Sequence, residues 1–290
     1  MLRFRSLAGA MAILVLAGGP DAAVAAELKE VWRVDGLKQP ESIVFDPATE
    51  ALYLSNVDGE PTAKDGKGYI SKLSPDGKML EAEWVKGLQG PKGLGISGDR
   101  LYVADIDRLV AIDIAKGEIA ETYDVPDAKF LNDIAIGKDG RVFMSDTGAN
   151  TIYVLDGKNF SAWLTDEKLS APNGLFAEDD RLVVAAWGEG EMTSAKPSHL
   201  KTVDLKSKTV ATLGDGSPVG NLDGIEPDGK GSYLVTDWVA GALFRIEPSG
   251  KAEKLLDLNQ GSADLLYRPE EKLVLIPMMQ DGVLLAYRLE

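Results

Sequence analysis

The chain has 290 residues, 44 % of them hydrophobic, a formal net charge of −15 and no cysteine. That length and apolar content support a sizeable buried core, and the lack of thiols excludes disulfides, cysteine nucleophiles and thiolate metal sites. The acidic balance gives no electrostatic attraction for nucleic acid or anionic lipid, so neither is an expected partner.

In chain order, Arg3 and Arg5 precede an apolar run from Leu7 to Ala17, and small residues follow to Ala26. Charged, apolar and small-residue regions in that order predict a signal peptide over 1–26, removed after Ala25 or Ala26, and an exported protein, periplasmic or secreted. The run is shorter than the roughly 20 apolar residues a membrane helix needs, and no later stretch is long enough to span. Removing Arg3, Arg5 and Asp21 leaves a net −16 on the mature chain, 27–290.

A strand is predicted from Leu28 to Val34, and then one hairpin recurs six times. Its copies are PESIVFDPATEALYLSN from Pro40, PKGLGISGDRLYVAD from Pro91, LNDIAIGKDGRVFMSD from Leu131, PNGLFAEDDRLVVAAW from Pro172, LDGIEPDGKGSYLVTD from Leu222 and ADLLYRPEEKLVLIPM from Ala263. Most copies precede a second hairpin, such as TIYVLDGKNFSAWLT, and the alternation within these runs indicates strands. Four strands per repeat of about 40 residues predict an all-β, six-bladed β-propeller with four antiparallel strands per blade. The last repeat lacks one strand, and the strand from Leu28 is expected to complete it, closing the ring into a single domain over 27–290.

Each first strand opens on a polar residue: Glu41, Lys92, Asn132, Asn173, Asp223 and Asp264. Two of the five intervals, 51 and 50 residues, exceed the others by about ten, and the excess lies in Val57–Gly68 and Trp187–His199. In an antiparallel blade those long loops rise at the end where the inner strands begin, which places the site there. Equivalent positions on inner strands form a ring around the channel. Three carboxylates against one ammonium leave about −2 in a confined space, which favours a neutralising cation. Oxygen donors without His or Cys specify a hard ion such as Ca²⁺. The alternative is that these polar heads hydrogen-bond one another and channel water.

Glu41 in PESIVFDP, Asn132 in FLNDIAIGKDG, Asn173 in APNGLFAEDD and Asp223 in NLDGIEPDGKG resemble the metal-site motifs of the senescence marker protein/gluconolactonase family, over nearly the whole mature chain. Paraoxonases, diisopropyl-fluorophosphatase and strictosidine synthase are its more distant relatives. The resemblance implies a divalent cation, most often Ca²⁺, at the channel mouth and hydrolysis of a small lactone, of a sugar or another kind. It also implies Glu41, Asn173 and Asp223 as ligands, and Asn132 as a ligand or a contact to substrate and water. Asp223 is the candidate base, with a purely ligating role as the alternative.

Lys92 and Asp264 depart from the pattern. Each is expected in the substrate pocket or in a channel ion-pair network. Trp187 and Trp238 follow second strands and either wall the pocket or pack between blades. Asn56, Asp105, Asp146 and Asp237, at second-strand ends, are expected to cap turns, a residue type that Ala185-Ala186 replaces in blade four. The lone His199 is expected on the surface, or on a lid over the pocket, and excludes a paired-histidine mechanism. Two further readings stay open: a non-catalytic propeller binding a small ligand or protein at the same acidic mouth, and phosphotriester hydrolysis.

Overall fold

The structure, a computed structural model, describes residues 28–190 and 194–289. The expected signal peptide lies outside the described residues. Among the described residues, apart from a single 3₁₀ turn at Glu167–Leu169, the regular elements are strands, arranged as six four-stranded antiparallel sheets. Among the described residues no helix is long and apolar enough to cross a membrane.

The inner strands are Pro40–Asp46, Pro91–Ser97, Leu131–Ile136, Pro172–Ala177, Leu222–Pro227 and Leu266–Arg268, and each touches the next around the ring. The strand Leu28–Asp35 pairs with Val283–Leu289, from Leu28 opposite Leu289 to Asp35 opposite Val283. The sixth blade is thereby completed to four strands by Leu28–Asp35, which covers the edge that Val283–Leu289 would otherwise expose.

The core lies between blades. Six apolar clusters occupy the six interfaces; one joins Tyr53, Ile70 and Leu88 of blade one to Leu101, Val103 and Ile112 of blade two. Alternation along the strands turns each apolar row toward a neighbouring blade, and burying those rows is what fixes the blades against one another.

In blades one to four a polar clasp sets where the inner strand begins. Asp105, at the end of its second strand, accepts the backbone N–H groups of Gln89 and Gly90, each at 2.8 Å. Asp146 does the same for Lys129 and Phe130 at 2.9 Å, and Asn56 Oδ1 accepts from Lys38 N. Asp237 instead caps its own turn, accepting from Val239 and Ala240. These side chains are buried and structural, as their turn positions predict. In blade four, where Ala186 stands in that place, Asn150 Oδ1 takes over and accepts from Ala171 N at 2.6 Å.

Candidate functional site

In blades one to five the residue before each polar head pairs with the last residue of the second strand: Pro40 with Asn56, Pro91 with Asp105, Leu131 with Asp146, Pro172 with Ala186 and Leu222 with Asp237. The ladder resumes three residues on, so the head and its successor sit in a bulge that aims side chains into the channel. In blade six the corresponding pair is Ser262 with Met278. The ring position there is Ala263, and Asp264 lies one residue further along. The expected six-member polar ring is therefore corrected to five polar side chains and one methyl.

Asp264 belongs to a second ring, with Ser42, Gly93, Asp133, Gly174 and Gly224. Here the backbones approach closely. A Cβ on Gly174 would overlap the carbonyl oxygen of Asp223, and one on Gly224 would lie 2.5 Å from Asp264 Oδ1. Ser42 Oγ donates to Asp264 Oδ2 at 2.6 Å, and Leu175 N donates to Asp133 Oδ2 at 2.6 Å. This tight belt divides the channel. Above it, a cavity of about 300 Å³ is lined by Glu41, Lys92, Asn132, Asn173 and Asp223; below it, a separate cavity of about 170 Å³ holds Asp133, Asp264 and Glu226. The substrate-pocket position expected for Asp264 is thus not the one it occupies.

Trp187 and Trp238 both line the upper cavity, with ring centroids 6.0 Å apart. Phe130, Met279, Pro61 and Thr62 join them. Pro61 and Thr62 come from the long loop of blade one, and Trp187 opens that of blade four. His199 does not reach the cavity; its Nε2 lies 3.3 Å from Thr212 Oγ1 and 3.1 Å from Lys201 Nζ, and the lid role is not what its position provides.

Hydrogen bonding orients the amides. Asn132 Nδ2 donates to Thr147 Oγ1 at 3.3 Å, while the Thr147 hydroxyl hydrogen is committed to the Pro172 carbonyl at 2.8 Å. Thr147 can then only accept from Asn132, which leaves Asn132 Oδ1 for the cavity. Asn173 is 1 % exposed, and neither of its side-chain polar atoms has a partner. Glu41 Oε2 is likewise buried and unpartnered. Orphaned buried acceptors are costly unless a ligand satisfies them, and two of them line this one cavity.

The charges are under tension. Burial pushes the Glu41 carboxyl up well above the usual range, reinforced by Asp223 and Asp264 and opposed by Lys92. Burial and then Asp264 raise Asp223 in the same way; the nearby Asn173 amide offsets part of this, although no hydrogen bond of good geometry joins the two. Lys92, 3 % exposed, is pushed down by burial and held up by Glu41. Its Nζ donates to the carbonyls of Pro61 (3.1 Å) and Gly90 (3.2 Å) and stands 4.6 Å from the centre of the Phe130 ring. Among the described residues no three His, Cys, Asp or Glu side chains converge on a point that would hold a metal. A cation here would need amide oxygens. The set of two carboxylates and two amides, with two orphaned acceptors, fits a hard divalent ion such as Ca²⁺.

Residues 39–260 match the family model described as the SMP-30/gluconolactonase/LRE-like region. The chain belongs to that family. No curated protein matches it in sequence. Among solved structures, a gluconolactonase from Xanthomonas campestris is similar at 16 % identity and a TM-score of 0.68, covering 93 % of each chain. A protein provisionally named a gluconolactonase gives 17 % and 0.64 over 92 % of this chain and 93 % of the other. Virginiamycin B lyase from Staphylococcus aureus gives 14 % and 0.60 over 91 % and 100 %. Identities this low establish the six-bladed fold alone, and family membership carries the lactonase-like character.

Phe130, Met279, Pro61 and Thr62 lie outside the repeated polar positions that mark the site in the sequence. Met279 had a signal available: it follows its second strand as Trp187 and Trp238 follow theirs, in three successive blades. Thr147 occupies that same position in blade three.

Proposed function

We propose that this family member is a cation-dependent lactone hydrolase, with Glu41, Asn132, Asn173 and Asp223 holding one divalent cation, Ca²⁺ by donor type. The observation that carries this reading is the pair of buried, unpartnered acceptors, Glu41 Oε2 and Asn173 Oδ1, on one cavity. When bound, the cation would supply Lewis-acid polarisation of the lactone carbonyl.

The chain's own groups supply the rest. Asn132 Oδ1, facing the cavity, has two lone pairs, one for the cation and one to accept a hydrogen from the attacking water and so orient it. Asp223 accepts the proton that water loses as its oxygen bonds the carbonyl carbon. The ring C–O bond then breaks, and the proton passes to the departing alkoxide, leaving a hydroxy acid. Trp187 and Trp238 limit water around the reacting ester. With 1–26 read as a signal peptide, the proposed setting is outside the cytoplasm.

A second reading, a non-catalytic ligand-binding propeller, is favoured by Lys92, whose buried ammonium already balances part of the acidic charge. Proton release from a panel of lactones, with calcium and with chelator, separates the two. Calcium-restored turnover supports hydrolysis. Turnover indifferent to chelator removes the cation, and lactone binding without turnover selects the second reading.

A further inference from the structure

We infer that the upper cavity selects lactones bearing an apolar or aromatic substituent over polyhydroxylated sugar lactones. The inference rests on the lactone reading and narrows its substrate. Trp187, Trp238 and Met279 follow the second strands of blades four, five and six, so one continuous arc of the mouth is apolar. Phe130 and Pro61 stand on the remaining wall.

The polar groups are few, and most of them are already engaged. Glu41, Asn132, Asn173 and Asp223 form the proposed cation set. Lys92 Nζ is tied to the Pro61 and Gly90 carbonyls and lies against the Phe130 ring. The Thr62 hydroxyl and the unpartnered N–H groups of Trp187 and Asn173 are what remains on the described walls to pair with a substrate hydroxyl, fewer polar partners than a sugar lactone presents.

A sugar lactone carries a hydroxyl on nearly every ring carbon. Hydroxyls brought against Trp238, Met279, Phe130 and Pro61 would lose water without gaining a partner, which opposes binding. An aryl or alkyl substituent would instead bury apolar area against partly exposed Phe130, Trp238 and Met279, which face solvent in the open cavity. The volume of about 300 Å³ is at the small end for ligand pockets and suits one lactone ring with a compact substituent.

The test compares γ-phenyl-γ-butyrolactone with glucono-δ-lactone on the full protein with calcium, measuring kcat/KM by proton release and affinity by calorimetry. The expected result is a kcat/KM about tenfold or more higher for the phenyl lactone, in line with burial of one aromatic group. Trp238→Ala should reduce the phenyl-to-sugar ratio at least about fivefold. Met279→Thr, a milder change, should reduce it in the same direction, so the test survives if the tryptophan variant fails to fold.

Equal or better turnover of glucono-δ-lactone overturns the selectivity while leaving the hydrolase intact. If neither lactone is hydrolysed, the hydrolase reading fails, and calorimetry then decides the selectivity. Tighter binding of the phenyl lactone upholds it; equal binding, or none, overturns it.

Discussion

Thr147 fixes the direction of Asn132. Its hydroxyl hydrogen goes to the Pro172 carbonyl and its lone pair receives Asn132 Nδ2, so blade four dictates which end of a blade-three amide meets the cavity. Thr147→Val keeps the volume and removes both bonds. The amide is then free to present its nitrogen, and kcat should fall about tenfold, the equivalent of one lost hydrogen bond. Thr147→Ser should restore it. An unchanged rate in the valine variant, with a native melting profile, would leave Asn132 without an orienting role.

The orphaned acceptors Glu41 Oε2 and Asn173 Oδ1 predict a stability gain on calcium binding. A ligand at about 100 times its Kd adds about 2.7 kcal/mol, which for a protein of this size raises Tm by roughly 5–10 °C. Scanning calorimetry of chelator-treated protein with and without calcium measures it. Asn173→Ala and Asp223→Ala should each abolish most of the increment, and an increment retained in both variants would move the ion elsewhere.

Below the belt, burial pushes the Asp264 carboxyl up to about 6, with the Ser42 hydroxyl and Leu265 N–H holding it partly down. Glu226 is raised by burial and by Asp264. A carboxyl raised in the folded state keeps its proton more tightly there than in the unfolded chain. Its favourable contribution is complete at low pH and is lost as pH climbs from about 4 through about 6. The calcium-free protein should therefore lose Tm across that interval, and Asp264→Asn should lose less. Parallel curves for the two proteins would show that Asp264 does not carry the effect.

Gly174 has no room for a side chain, because a Cβ there would overlap the Asp223 carbonyl oxygen. Gly174→Ala should cost about 1–3 kcal/mol by forcing neighbouring inner strands apart. Calcium affinity should drop with it, since Asn173 and Asp223 sit on those two strands. Denaturant melts and calcium titrations test both, and wild-type values would mean that the belt yields easily.

The blades were legible because one hairpin pattern repeats six times and alternates with a strand's period. The missing strand of blade six was legible for the same reason. What misled was polarity in blade six. Asp264 is the first acidic residue of its inner segment and its spacing matches it to Glu41, whereas the ladder pairs Ser262 with Met278 and puts Ala263 at the ring. A bulge shifts register without leaving a mark in composition. The cavity walls were half legible: Trp187 and Trp238 stood out as large residues at equivalent positions. Phe130 and Pro61 reach the mouth from loops of unrelated length, and nothing periodic announces that they meet.

The seam between Leu28–Asp35 and Val283–Leu289 has a kinetic side. The earliest strand of the ring has no partner until nearly the whole chain has been made. Blades can condense one after another from local hairpins, but ring closure is a contact between distant ends, the slowest kind to form. Until then two open edges remain exposed, and self-association in that interval is the competing outcome. Closure is thus the step at which yield of native protein is decided, and substitutions in either seam strand should act on refolding efficiency before they act on the finished ring.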